Sequence, residues 1–307
     1  MFAEGPIVVA LDGTPHSAST LQFGVEEALR AGAPLVLARA PHEPHRSIAW
    51  AYACVPGAMG GYVPKDDTTA FLERTRAEVS LLHPGLRVSA RVLRGPLLAS
   101  LCVLSHDARM LVVGARGVLG RPGPGANSAF LARSGHCPVA VVPAMGVTAP
   151  SAWTPVVVGV DGSPASVAAA RTAAASALRR GVPLLLAHAR ASAPGPRPRR
   201  GSAPRLGDPA DPCHDGARSV AALIGAEHPA LEVRLTLMDD DPARSLVELG
   251  RDAALVVVGS RGLGPVRGQM MGAVSRAVIR SAPCPVLVLR ESMDPLRHVG
   301  GAADGPP

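Results

Sequence analysis

The residue types best suited to chemistry sit in two glycine-rich groups. Gly259-Ser260-Arg261-Gly262 is followed, nine residues later, by Gly272-Ala273-Val274-Ser275. Glycines let a chain turn sharply and bring backbone N–H groups to a ligand with no Cβ in the way. A helix opening at Gly272 adds unpaired N–H donors and the positive end of its dipole, a combination suited to phosphate. Ser275 adds a hydroxyl. A tight strand-to-helix turn without a ligand uses the same glycines, so spacing alone leaves both readings open. A second group, Asp161-Gly162-Ser163-Pro164, stands upstream. Its carboxylate either faces the base or ribose of a ligand or orders its own Asp-Gly turn. Both groups have counterparts in the first half: Asp12-Gly13-Thr14-Pro15, Gly114-Ala115-Arg116-Gly117 and Gly125-Ala126-Asn127-Ser128. There the loop is two residues shorter. It also holds Pro122 and Pro124, which supply no N–H and stiffen the turn.

Other chemistry is absent or weakly marked. The chain has no G-x-x-x-x-G-K-[ST] phosphate loop and no G-x-G-x-x-G after the first strand. No G-x-S-x-G elbow, H-E-x-x-H or paired-carboxylate pattern occurs either, so no catalytic residue is assigned and turnover is not expected. His42 and His45, near Cys54, are split by Pro44, which breaks the helix that would align them. They are read as solvated loop residues, and no metal site is assigned. Cys137 and Cys284 each precede a proline ahead of an apolar run and are read as buried structural cysteines. Asp107 and Asp252 are read as turn or cap residues.

The elements that position these groups come from a duplication. IVVALDGTPHS (7–17) matches VVVGVDGSPAS (156–166) at an offset of 149. The offset becomes 145 for LVVGARG (111–117) against VVVGSRG (256–262), and 147 for CPVAVV (137–142) against CPVLVL (284–289). Each copy reads strand, helix, strand, variable segment, helix, strand, helix, strand, glycine loop, helix, strand. The first strands are 7–11 and 156–160. Thr14-Pro15 and Ser163-Pro164 read as a hydroxyl N-cap with proline at the first helical position. Gly32 and Gly181 suit the left-handed position after the helix. The alternating runs Leu86/Val88/Ala90/Val92 and Leu231/Val233/Leu235/Leu237 predict strands with one more polar face. Met110–Val113 and Leu255–Val258 are apolar throughout, as expected of central parallel strands. The expected fold is α/β: two tandem doubly wound domains, each with a five-stranded parallel sheet, at 1–146 and 152–292, with a frayed tail at 293–307. The closing strands Val139–Val142 and Val286–Leu289 are strongly apolar, and an apolar strand at a sheet edge must be covered. A homodimer of the whole chain stays open.

Composition sets outer limits. Of 307 residues, 47% are hydrophobic and 18% charged, enough for packed cores. The formal charge of +7 comes almost wholly from arginine, with Lys65 the one lysine. The basic run Arg197–Arg205 lies in a proline-rich segment and is read as a solvated linker. At 3% aromatics, base-stacking platforms are not expected, nor is nucleic acid as a partner. Five cysteines, an odd number, fit a reducing cytoplasm better than a disulfide framework. No apolar stretch reaches the length of a membrane span and no signal peptide is read at the start.

The V-x-V-D-G-S-P opening, the G-S-R-G…G-A-V-S loop and the closing C-P-V-L-V-L together resemble the universal stress protein family, as a tandem two-domain member. The resemblance covers about 7–143 and 156–290. It implies a five-stranded parallel α/β fold, with ATP as cofactor in the crevice at the carboxyl ends of the strands, and pairing of the two domains through their last, edge strands, Val139–Val142 and Val286–Leu289, as an intramolecular pseudo-dimer. The family's loop is G-x2-G-x9-G-[ST]. The second copy keeps Gly259, Gly262 and Gly272 at that spacing. It has Ala273 where the family usually has Ser or Thr, with Ser275 two positions on. By the same matching, Asp161 falls at an adenosine contact and Ala189 at an adenine-side position. Val258, Val274 and Ser275 fall at the remaining loop contacts. In the first copy the matching positions are Asp12, Ala40, Gly114, Gly117, Gly125 and Ser128, where weaker binding is expected. The implied role is a nucleotide-responsive regulator in stress or dormancy, with an unidentified protein partner. The rival readings are a nucleotide-hydrolysing or adenylate-transferring enzyme of the same fold superfamily, and an interaction scaffold that binds no nucleotide.

Overall fold

In the computed structural model, residues 5–15, 17–41, 67–115, 126–144, 154–190, 214–260 and 271–290 are described here. The first half contains strands β1 (Ile7–Ala10), β2 (Leu35–Arg39), β3 (Val88–Val92), β4 (Met110–Gly114) and β5 (Val139–Val142). Its helices are α1 (Ser17–Ala31), α2 (Thr68–Leu82), α3 (Leu97–Leu104) and α4 (Ala126–Ser134). The second half repeats the order with β6 (Val156–Gly159), β7 (Leu184–Ala189), β8 (Val233–Met238), β9 (Leu255–Gly259) and β10 (Val286–Leu289). Its helices are α5 (Pro164–Arg180), α6 (Asp215–Glu227), α7 (Pro242–Leu249) and α8 (Ala273–Ser281).

All ten strands form one sheet in the order β3-β2-β1-β4-β5-β10-β9-β6-β7-β8. Within each half the pairings are parallel. At the centre β5 and β10 run antiparallel, with Val286 opposite Val141, Leu287 opposite Ala140 and Val288 opposite Val139. The expected pairing of apolar edges is therefore present, and it fuses the two sheets into one mixed sheet. Each of the two edges satisfies the other's free backbone groups, the hazard that the sequence had flagged.

Strand side chains alternate between two apolar layers, as a period of two demands. One layer holds Val9, Leu37, Val112, Ala140, Val158, Leu184 and Leu287. The other holds Val8, Leu111, Val139, Val157, Val256 and Val286. Both layers run from one half into the other without a break. The β5 and β10 residues are each buried to within 1% exposure, so the seam is core rather than surface. In contrast β3, at the outer edge, is mostly exposed.

The helix starts differ from the sequence expectation in one half. Ser163 caps α5 as expected: its hydroxyl accepts the Ser166 N–H at 3.2 Å, with Pro164 in the first turn. Thr14 does not cap α1. Its hydroxyl donates to Asp12 Oδ1 at 2.7 Å, and the helix begins only at Ser17. The charge-assisted bond holds the hydroxyl back toward Asp12, and among the described residues no N–H of the helix reaches it. Gly32 and Gly181 do close their helices in the left-handed region, at φ 59° and 65°.

Candidate nucleotide crevice

The candidate site lies where β6, β7 and β9 end and the chain turns to helices. Asp161 follows β6, and its Oδ1 accepts the Ser163 N–H at 3.0 Å. That bond orders the turn, so one of the two readings of Asp161 is realised. Gly162 takes φ 80°, and a Cβ there would sit 3.2 Å from the Gly216 Cα. Glycine at both positions lets α6 touch the turn backbone to backbone. Ala189 ends β7 and is half-buried; the next residue, Arg190, donates its N–H to the Met238 carbonyl at 3.0 Å.

The loop's two ends are closed at their base. Val258 is buried and Gly259 ends β9. Ser260 donates its N–H to the Leu289 carbonyl, and Gly272 donates to the Ser260 carbonyl at 2.9 Å. Gly272 is the N-cap of α8 and offers no side-chain cap. The first ladder bond is Arg276 N–H to the Gly272 carbonyl at 3.1 Å. The N–H groups of Ala273, Val274 and Ser275 thus precede the helix ladder. Ser275 is buried, and its hydroxyl donates to the Gly259 carbonyl at 2.6 Å. The hydroxyl proton latches helix to strand, while the backbone N–H of Ser275 precedes the helix ladder. The first half has the same latch, with Ser128 Oγ donating to the Gly114 carbonyl at 2.9 Å. Gly262, Gly117, Gly125, Pro122 and Pro124 lie outside the described residues, as do His42, His45, Cys54, the Arg197–Arg205 run and the 293–307 tail.

The two crevices differ beyond their loops. Asp12 Oδ1 accepts the Thr14 N–H at 2.9 Å, the Thr14 hydroxyl and the Ser17 hydroxyl. Burial pushes this carboxyl up, but the Ser17 and Thr14 hydroxyls and the Thr14 N–H outweigh it and hold it below the usual range. In the second half the counterpart of Ser17, Ser166, donates instead to the Ser163 carbonyl. At the end of β2, Arg39 lays its guanidinium 4.5 Å from the Phe71 ring centre, and a Cβ at Gly13 would meet it at 2.9 Å. The equivalent of Arg39 in β7 is His188, whose Nδ1 donates to the Val160 carbonyl at 2.7 Å. Its ring meets His214 edge-on at 5.2 Å, and His214 is fully buried. The sequence comparison passed over Arg39, Phe71, His188 and His214, because unlike residues at equivalent positions leave no repeat signal. After β8, Asp240 pairs with Arg244 at 2.6 Å and Asp241 caps α7 by accepting the Arg244 N–H at 2.8 Å.

The sequence profile of the universal stress protein family matches residues 5–143 and 152–290. The chain belongs to the universal stress protein family. It is 31% identical to the universal stress protein Rv2005c of Mycobacterium tuberculosis over 295 residues, 93% of this chain and 97% of that one. A universal stress protein from Archaeoglobus fulgidus has a similar fold, with a TM-score of 0.64 at 18% identity, covering 94% of this chain and 97% of that one. A universal stress protein solved in complex with cAMP is 27% identical over 46% of this chain and 99% of that one, with a TM-score of 0.35. Among the described residues of this universal stress protein, no helix is long and apolar enough to cross a membrane. No group of three or more histidine, cysteine or acidic residues suited to a metal stands together among them either.

Proposed function

We propose that the second half binds ATP through Asp161, Ala189, Val258, Gly259, Gly262, Gly272, Val274 and Ser275. The observation that carries this reading is the closed base of the loop, where Gly272 bonds to Ser260 and presents the α8 N-terminus. The polyphosphate belongs on those N–H groups, which supply charge-assisted donors without a lysine. The adenine side is aliphatic, with Ala189 and Val258. The first half, through Asp12, Ala40, Gly114, Gly117, Gly125 and Ser128, is the weaker site. The protein acts in the cytoplasm as a nucleotide-responsive regulator in stress or dormancy, without a defined catalytic reaction.

Mass spectrometry of nucleotide retained through gentle purification tests the reading, followed by calorimetry with ATP on stripped protein. The expected result is one adenine nucleotide per chain. No retained nucleotide and no heat at millimolar ATP would favour the scaffold reading instead. Multiple-turnover phosphate release would favour the enzyme reading.

A further inference from the structure

At the amino ends of β1 and β4, a cavity of about 20 Å³ opens into the seam between the halves. Its walls include Glu27, Arg109, Pro138, Thr172, Arg179 and Leu287, drawn from both halves. That room suits a small species such as a water or a monatomic ion.

The charges around it do not balance. Arg30 pairs with Glu26 at 3.0 Å and with Glu27 at 3.1 Å, and Arg180 pairs with Glu27 from the other half. Both carboxylates are thereby used. Arg109 and Arg179 remain, and among the described residues neither has a carboxylate within ion-pairing distance. Arg109 makes one long contact, to the Ala31 carbonyl at 3.5 Å. The Nε of Arg179 is buried and has no acceptor. A buried donor left unmade costs more than a typical bond contributes, and more still when it is charged. Thr172, on the cavity wall, donates its proton to the Ala168 carbonyl at 2.9 Å, and its oxygen does not reach the Arg179 Nε. Burial lowers the pKa of Arg179; Glu27 opposes the shift, while Arg109 and Arg30 add to it. Arginine nevertheless keeps its proton at any working pH.

We propose that this cavity is a halide site, in which one chloride-sized anion is held between Arg109 of the first half and Arg179 of the second. The anion accepts from the orphaned Nε and neutralises the surplus charge. Glu27 lines the same cavity, but Arg30 and Arg180 hold its carboxylate. Because the two arginines come from different halves, the anion ties the halves together. A species that binds the folded pair and not the open chain stabilises it by mass action.

The test is thermal unfolding of the full chain at constant ionic strength, with sodium gluconate replaced stepwise by chloride or bromide. The expected result is a saturable rise in Tm of about 2–4 °C with either halide. Arg179→Leu should abolish that rise, and Arg109→Gln should weaken it should the first variant not fold. Crystals grown in bromide should show an anomalous peak between the two side chains. Coincident melting curves in halide and gluconate would overturn the site. So would an undiminished halide response in a folded Arg179 or Arg109 variant, or a water in place of the bromide peak.

Discussion

Glu27 in α1 and Arg180 in α5 belong to different halves and meet across the seam, with side chains only 3% and 5% exposed. The offset that aligns the copies places Ser176 opposite Glu27 and Ala31 opposite Arg180, so the pair has no mirrored partner. Arg180 also bonds Ser176, on its own helix. Glu27→Ala leaves the Arg180 guanidinium buried without its counter-charge, which should cost about 3–5 kcal/mol. Glu27→Ala with Arg180→Ala should recover a large part of that loss. Urea titrations of the three proteins measure it. A double variant no more stable than Glu27→Ala alone would show that the pair is not the source.

Cys137 and Cys284 sit at equivalent places under the central strands, 4% and 6% exposed. Burial pushes both thiols up to about 12. Since the thiolate is the reactive form, at pH 8 only about one in 10,000 is ready to react. Burial also raises the Cys102 thiol, with Arg290 opposing, but this side chain is only half-buried. Native protein should therefore label at Cys102 well before Cys137 or Cys284, whose rates should rise sharply in denaturant. Peptide mapping after timed alkylation reads the order. Native labelling of both buried cysteines at denatured rates is the contrary result.

Asp12 links stability to acid. Its carboxyl titrates lower in the folded chain than in the unfolded one. The ionised form therefore contributes stability above the unfolded value, near 4, and that contribution fades as pH falls through the lower folded value. Asp12→Asn should lower stability at neutral pH and flatten the loss below about pH 4. Melting curves from pH 7 to 3 check this. Parallel pH profiles for the two proteins would remove Asp12 as a source of the acid response.

Much of the architecture was legible because the strands are short, uniformly apolar runs bounded by glycine and proline. The pairing of β5 with β10 followed from two edges too apolar to leave bare. The Glu27–Arg180 contact was not legible, since 153 residues separate the pair and each sits in an ordinary amphipathic helix. The latch made by Ser275 was not legible for a related reason. Spacing places a hydroxyl at a helix start, but only geometry shows the Gly259 carbonyl already within its reach. Thr14 is not a cap because Asp12, two residues back in the same turn, holds its hydroxyl away from the helix start.

The two crevices should bind ATP unequally. In the second half, the α8 N–H groups stand over a base closed by the Gly272–Ser260 bond, and Asp161 lies at the end of β6. In the first, Asp12 is held by two hydroxyls and an N–H from its own turn, and Arg39 fills the space beside Gly13 and Phe71. The first loop is also two residues shorter and carries Pro122 and Pro124, each lacking an N–H. Losing one charge-assisted phosphate contact costs about 1.5–3 kcal/mol, or roughly 10- to 150-fold in affinity. Asp161→Ala and Gly272→Arg should each remove most ATP binding. Gly272→Arg acts by placing a long side chain where the phosphates approach the helix. Asp12→Ala should change binding little, because the nucleotide does not depend on the first crevice. Isothermal titration should give one tight site per chain. Two sites of equal affinity, or Asp12→Ala as costly as Asp161→Ala, would mean that the first site has a phosphate partner of its own and that the halves are functionally alike.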